Sequence, residues 1–364
     1  MKKILVLWSA TLALVLFPTL LRGGNVKDRT YVEASELNII GKLMDTPNPY
    51  HRVDTCVFKG FTPSENRQVR CSSGLAVLFK TNSSSVTVKC TYGYFNEATN
   101  TMGIALRGFD LYIRKGEEWI FAGSKCPADP EKPGEIKLVE NMDGKMKECM
   151  LYLPIYSELY SLQIGVDQGS VLESLESPFR HRVGIFGSSY TQGISVSRSG
   201  MTYPQQFVRS TGIQLLSLGC SGNCKLQPYF ADVLNAAEVD AFIFDAFSNP
   251  SAQLIKERLF PFIEKIQQAH PDIPLIFMQT IRRERRNFDQ KVEKSEQDKM
   301  DMAEKLMKEA VKKYDHVYFI GTSTGKEARE TSVDGIHPSD MGYMAWARSI
   351  EKPVLKILKK YGIR

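Results

Sequence analysis

RVGIFGSSYTQG, residues 182–193, is a short apolar run that breaks at Gly187-Ser188-Ser189 and continues in helix-compatible residues. Val183, Ile185 and Phe186 are strand formers, and Gly187 supplies a position without a Cβ where the chain must turn sharply. A serine just past such a turn is held out at the carboxyl edge of a sheet. Ligands collect at that edge in open α/β folds, and the helix start beyond it offers unpaired N–H groups to an oxyanion. A Gly-Ser-Ser turn alone is more often only a turn, so the reading depends on the other residues the chain delivers to the same edge.

The second half delivers them. After Pro178 apolar segments alternate with amphipathic ones: strands are predicted at 182–187, 213–218, 240–245, 273–280 and 316–320, and helices at 203–210, 226–237, 252–269, 291–314 and 341–361. Such alternation implies a parallel sheet covered by helices on both faces, with all five strand ends on one side. Past the first strand lies Ser189, past the second Gly222 in CSGNC, and past the third Asn249 in FSNP. Past the last come Asp334 and His337 in DGIH.

These are the residue types acyl transfer needs. A serine hydroxyl requires a histidine base, and the histidine requires a carboxylate to hold its tautomer and stabilise its cation. The tetrahedral oxyanion requires donors, which the N–H groups of Ser189 and Gly222 and the amide of Asn249 are placed to supply. Of the five histidines (51, 181, 270, 316 and 337), only His337 follows an acidic residue by three positions and sits at a loop-to-helix junction on the predicted edge.

From about residue 30 to 178 the pattern is different, with period-two alternation punctuated by Gly, Pro, Asn and Ser. Leu75, Val77 and Phe79 alternate on one run and Val86, Val88, Cys90 and Tyr92 on the next, with a polar turn at 81–84, which predicts an antiparallel hairpin. Residues 104–113, 119–122, 149–153 and 162–166 continue the strand pattern, so a β-sandwich or jelly roll is expected. Asp110, Tyr112, Tyr92, Tyr94 and Phe95 either line a sugar-binding face or serve sheet packing and turns.

At 364 residues the chain has material for two cores. Its formal charge of +6 is thinly spread and interleaved with acids, which argues against a dedicated nucleic-acid surface. Met1-Lys2-Lys3 followed by an apolar run to Leu21 reads as an export signal, 1–24, with membrane contact only if it stays uncleaved. Seven cysteines permit disulfides but leave at least one thiol unpaired. Cys220 and Cys224 read as buried thiols or one local bridge, and no metal or cofactor is expected.

These residues resemble the SGNH hydrolases, also called the GDSL esterase/lipase family. The family's Gly-Asp-Ser-Leu appears as Gly187-Ser188-Ser189-Tyr190, similar to a Gly-Ser-Ser variant in which the second serine is the nucleophile. Its oxyanion glycine corresponds to Gly222, its asparagine to Asn249 and its closing Asp-x-x-His to Asp334 and His337. The third motif departs from Gly-x-Asn-Asp, since Ser248 and Pro250 flank Asn249. Gly108-Phe109-Asp110-Leu111-Tyr112 resembles the Gly-x-Asp-Leu-Tyr signature of a β domain that precedes SGNH domains in exported bacterial proteins.

The resemblance implies an α/β fold: a five-stranded, parallel, doubly wound (flavodoxin-like) hydrolase domain at 179–364, preceded by a β-sandwich or jelly roll at 29–178. The pairing also resembles carbohydrate esterases that remove acyl groups from polysaccharides, so the expected substrate is a small acyl ester, above all an acetylated carbohydrate. The alternatives are a lipid or phospholipid ester, or a carbohydrate-binding protein whose hydrolase domain is inactive. Arg282, Arg283, Arg285 and Arg286, after the fourth strand, either grip an acidic group of the substrate or form a solvated loop with Glu284. The oligomeric state is left open.

Overall fold

The computed structural model of the protein describes residues 28–325 and 329–364, so the export segment at 1–24 lies outside the described residues. No helix among the described residues is long and apolar enough to cross a membrane.

Among the described residues the N-terminal part contains ten strands: β1 (Arg29–Glu33), β2 (Asn38–Ile40), β3 (Ala76–Thr81), β4 (Val86–Phe95), β5 (Phe109–Lys115), β6 (Glu118–Lys125), β7 (Ile136–Val139), β8 (Lys147–Tyr152), β9 (Ser157–Asp167) and β10 (Leu172–Ser174). One antiparallel sheet has the order β1-β9-β4-β7 and the other β10-β3-β8-β5-β6, with β2 beside β3. Their inner faces share one core: Val77 and Phe79 from one sheet meet Val86, Val88 and Ile164 from the other.

This corrects the hairpin expected from residues 75–92. The alternation is right, but β3 and β4 lie in opposite sheets and face each other across the sandwich. The polar stretch between them is an arch rather than a tight turn. Ser83 Oγ donates to Ser85 O at 2.7 Å, and Ser85 Oγ donates to Asp167 Oδ1 at 2.7 Å, so the arch is tied to the end of β9. The segment 104–113 also divides, into a short helix α2 (Gly103–Arg107) and β5. Ala105 and Leu106 of α2 are buried in the core of the C-terminal half rather than in the sandwich.

A second element was unanticipated. Residues 41–75, between β2 and β3, leave the sandwich and carry helix α1 (Pro63–Arg70), which opens with Thr62 and Glu65 in a capping box and Pro63 at its first turn. Leu43, Val53 and Val69 from this excursion belong to the C-terminal core. Arg52, fully buried, donates to Cys71 O at 2.8 Å, Gln68 O at 2.6 Å and Gly219 O at 2.9 Å. A guanidinium with several donors in a fixed fork suits such converging carbonyls. Arg52→Met is expected to leave these carbonyls unsatisfied, costing about 3 kcal/mol. Calorimetry should then show the unfolding midpoint lowered by roughly 6–12 °C.

The C-terminal half is a five-stranded parallel sheet: β11 (Arg182–Gly187), β12 (Gln214–Gly219), β13 (Ala241–Asp245), β14 (Leu275–Met278) and β15 (Val317–Ile320), in the order β12-β11-β13-β14-β15. The chain starts in the interior strand β11 and departs in both directions, so a crevice opens at the carboxyl end of β11. Helices α3 (Ser189–Gln192), α4 (Tyr203–Thr211) and α8 (Asp340–Leu358) cover one face. Helices α5 (Pro228–Asn235), α6 (Ala252–Ala269) and α7 (Gln290–Lys313) cover the other. Val183 and Ile185 point to the first layer and Phe186 to the second, so alternation within β11 feeds two cores.

The Gly108-x-Asp110-Leu111-Tyr112 segment joins the halves. Asp110 is buried and receives Arg198 NH1 at 2.8 Å and Gly200 N at 2.8 Å, while Arg198 also reaches the Tyr112 hydroxyl at 2.5 Å. Burial pushes the Asp110 carboxyl up, opposed by Arg198 and the Gly200 N–H. Both polar side chains of the motif are thus committed to holding the 194–202 segment. Of the two roles open for them from sequence, the contacts are those of packing.

Candidate functional site

Gly187 ends β11 with ordinary backbone dihedrals, so its glycine serves space rather than torsion. A Cβ there would lie 1.9 Å from Thr191 Oγ1 and 2.9 Å from Asp245 Cβ. The next residue, Ser188, caps α3: its Oγ accepts from Tyr190 N at 3.2 Å and donates to Asp245 Oδ2 at 2.7 Å, and its N–H donates to the same oxygen at 3.1 Å. Thr191 and Ser248 hydroxyls also donate to Asp245. Burial pushes the Asp245 carboxyl up, and these donors pull against that shift.

Ser189 follows as the first residue of α3 and is 7% exposed. The N–H groups on either side of it are occupied, and its own, in the first turn, has no intrahelical acceptor.

Gly222 sits in the turn after β12 with φ +70 and nothing within 4 Å of a would-be Cβ, so here the backbone torsion is what requires glycine. Its loop is held from three sides. Ser221 N donates to Gln192 Oε1 at 2.9 Å, Gln68 of α1 donates to Ser221 O at 2.9 Å, and the Tyr156 and Ser221 hydroxyls are hydrogen-bonded. Asn249 accepts from Cys224 N through Oδ1 at 3.2 Å, so the amide is tied by its oxygen to the loop that carries Gly222.

His337 Nδ1 lies 2.8 Å from Asp334 Oδ2. The carboxylate accepts, so the ring carries its proton on Nδ1 and leaves Nε2 as the basic nitrogen. Asp334 Oδ1 accepts from the N–H groups of Ile336 (3.0 Å) and His337 (2.8 Å), and Oδ2 also accepts from Asn100 at 2.8 Å. Partial burial works to raise this carboxyl, but the His337 ring, the His337 N–H and the Asn100 amide outweigh it and hold it well below the usual carboxylate range.

The four arginines separate into two pairs. Arg283 is turned inward, donating to the Tyr190 hydroxyl at 2.9 Å and Ser248 O at 2.7 Å and pairing with Glu296 at 3.0 Å. Tyr190 in turn donates to Ile336 O at 3.1 Å and stands edge-on to the His337 ring, so Arg283 ties together the neighbours of Ser189, Asn249 and His337. Arg286 is buried against Glu293 and Gln297. Arg282 and Arg285 are exposed, beside Asn287 and Asp289. Glu284 accepts from Thr331 and Ser332 rather than from these arginines.

All seven cysteines are free thiols. The local Cys220–Cys224 bridge is therefore not formed, and burial pushes the Cys220 thiol up to about 12. Asp245, Asn100 and Gln192 were missed from sequence. Asp245 had a signal, since an acid closing the apolar run AFIFD must find buried partners. Asn100 had none, because its partner is 234 residues away.

The GDSL-like Lipase/Acylhydrolase family matches residues 180–356, and the GxDLY domain, the N-terminus of SGNH-hydrolase-type esterases, matches residues 29–172. No curated protein matches the chain. Among solved structures, a protein of Bacteroides ovatus described as a GDSL-like lipase is 37% identical with a TM-score of 0.87, covering 91% of this chain and 98% of its own. A salicylyl-acyltransferase from a tetracycline biosynthetic pathway is 18% identical (TM-score 0.69; 92% and 99% covered). A family two carbohydrate esterase from Cellvibrio japonicus is 11% identical (TM-score 0.60; 92% and 99% covered). The last two share the fold across both halves, and the first carries the similarity into the sequence itself: the chain belongs to the GDSL-like lipase/acylhydrolase family.

Proposed function

We propose that the protein is an exported serine esterase that removes a small acyl group, most simply acetyl, from a carbohydrate. Ser189 is the nucleophile, His337 the general base, Asp334 its orienting carboxylate, and the N–H groups of Ser189 and Gly222 with the Asn249 amide form the oxyanion hole. The observation that carries this reading is the 2.8 Å contact between His337 Nδ1 and Asp334 Oδ2, which leaves Nε2 as a base on the edge where α3 begins. Attack by Ser189 Oγ passes its proton to Nε2 and forms a tetrahedral oxyanion; the intermediate collapses by breaking the bond to the alkoxide, which takes that proton from the imidazolium and leaves as the alcohol, giving the acyl-enzyme. Water then attacks the acyl-enzyme by the same steps, releasing the acid and restoring Ser189.

The carbohydrate substrate is supported by the shared two-domain fold of the Cellvibrio esterase. Export is supported by the charged-then-apolar N-terminus. Arg282 and Arg285, the exposed pair, are the ones able to meet an acidic group on the substrate. The test is turnover of acetylated oligosaccharides against acetyl and long-chain esters of a simple alcohol. Fast release of acetate with little cleavage of long chains supports the reading. Preference for long chains replaces it with a lipid acylhydrolase, and no turnover of any ester leaves a binding protein.

Asn249 tests the oxyanion hole. Its NH₂ would donate to an oxygen charged only in the transition state, so Asn249→Ala is expected to lower kcat by about 10²–10³ with KM nearly unchanged. Asn249→Asp should be worse, since it sets a carboxylate against the oxyanion. Steady-state kinetics and a melting curve on one preparation decide. If stability falls while kcat holds, Asn249 only shapes the turn before Pro250.

A further inference from the structure

The loop between β4 and α2 leaves the sandwich and reaches the segment before α8. There Asn100 Nδ2 donates to Asp334 Oδ2 at 2.8 Å, the same oxygen that faces the His337 ring at 2.8 Å. The amide is not free to turn over. Thr101 Oγ1 donates to Asn100 Oδ1 at 3.2 Å and itself accepts from Ser195 N at 2.9 Å, so the Asn100 oxygen is spoken for and its nitrogen must face the carboxylate. The loop is tethered upstream by Asn96 N on Tyr156 O at 3.2 Å.

We propose that Asn100 is a positioning residue of the ester hydrolysis: an amide supplied by the β domain that fixes the Asp334 carboxylate against His337 and tempers the basicity of the ring. The inference rests on the serine-esterase reading given above and gives the N-terminal domain a direct part in the chemistry. One oxygen, Asp334 Oδ2, takes two donors. With Asn100 present, the charge on Oδ2 is shared between the amide and the ring, and rotation of the carboxylate is blocked. Without Asn100 the whole charge faces the imidazole. The imidazolium is then better stabilised, the ring keeps its proton to higher pH, and the carboxylate is freer to swing.

The other titratable and charged groups around the ring have their own anchors. Tyr190 is edge-on to it and held by Arg283. Arg285 holds Gly335 O through its backbone N–H, Glu284 is engaged by Thr331 and Ser332, and Asp340 is engaged by Ser197. A substitution at position 100 therefore changes one neighbour of Asp334 and leaves these in place.

The experiment is the pH profile of kcat/KM for an acetyl ester with wild type, Asn100→Ala and Asn100→Asp, and with Ser189→Ala as control. Asn100→Ala is expected to lower plateau kcat by about tenfold at unchanged KM, and to move the acid limb up by about half a pH unit. Asn100→Asp, which sets a second carboxylate beside the first, should move the limb further, by about one unit. Should the Ala variant fail to fold, the Asp variant carries the test. A wild-type limb and plateau in a folded variant overturns the proposal, as does a lowered melting point with an unmoved limb, which is what a purely structural contact would give. If Ser189→Ala stays active, the serine-esterase reading fails first. If that control is dead while position 100 has no effect, only this inference falls.

Discussion

Ser189→Ala is expected to lower kcat for an acetyl ester by about 10⁶, to near the level left by substrate binding and the oxyanion donors alone. Its fold and melting point should be unchanged, because Ser189 Oγ is not among the groups that hold the turn. Those are Ser188, Asp245, Thr191 and Ser248. The neighbouring variant supplies the contrast. Ser188→Ala removes the cap of α3 and one of the hydrogen bonds to a buried carboxylate, so it should cost stability, about 1–2 kcal/mol. Its loss in kcat should be only about tenfold, because the turn is still held by the Ser188 N–H, Thr191 and Ser248. Measuring kcat and melting midpoint for both variants separates chemistry from support. If Ser188→Ala proves the dead enzyme and Ser189→Ala the destabilised one, the register of the nucleophile is wrong by one residue.

The parallel sheet was legible in the sequence because β12, β13 and β14 are buried throughout and all five strands are built around short apolar runs. All five runs appear within about two residues of the expected positions, on the observed edge. The β domain was legible in its alternation but not in its pairing. Alternation says which side chains face inward, and Val77 and Val88 do, yet it is silent on whether two successive strands lie in one sheet or face each other across two. That choice is made by the arch at 82–85, whose serines bond to Asp167 from a distant strand.

The candidate site was open to a sequence reading wherever a residue belongs to a local motif. Ser189 follows a turn, and His337 stands three residues from its carboxylate on one loop. The supporting contacts cross the domain border: Asn100 on Asp334, Gln68 on Ser221, Arg52 on Gly219. None has a local signature. Helix α1 was not anticipated, although Thr62-Pro63-Ser64-Glu65 carries the local signal of a helix start, a capping box with proline at the first turn.

The arginine loop was a motif with two physical meanings, and charge density alone could not choose between them. Arg283 and Arg286 resolve it through their neighbours. An inward-turned guanidinium paired with Glu296 or Glu293 and bonded to a further carbonyl or amide oxygen is a strut, whereas Arg282 and Arg285 keep their donors near solvent. What the proposed chemistry needs from Arg283 is indirect: it holds Tyr190 and Ser248, the residues next to Ser189 and Asn249.

Asp334→Asn is the second large effect expected, a loss of roughly 10⁴ in kcat. All four hydrogen bonds to Asp334 come from donors: Ile336 N and His337 N on Oδ1, and the His337 ring and Asn100 on Oδ2. An amide can present an oxygen to only one of these pairs. If its NH₂ faces the ring, His337 must carry its proton on Nε2 and cannot act as a base. If its NH₂ faces the backbone, two N–H groups lose their acceptor and the loop before α8 loosens. Either way the ring no longer meets a fixed negative charge.

The pH dependence follows from the same contacts. Because Asp334 is held well below the usual carboxylate range, it stays ionised throughout the range in which an imidazole titrates. The acid limb of wild-type kcat/KM should therefore report a single protonation at the imidazole and no titration of the Asp334 carboxyl. A depressed carboxyl also contributes stability that is present above its ordinary range and lost as pH falls through its lowered value. Acid-induced loosening of this loop is thus expected only well below the pH at which activity has already gone. Asp334→Asn should remove that acid dependence of stability. Retention of most wild-type kcat in a folded Asp334→Asn preparation would show that some other acceptor orients the ring, and the site would then work as a Ser-His dyad.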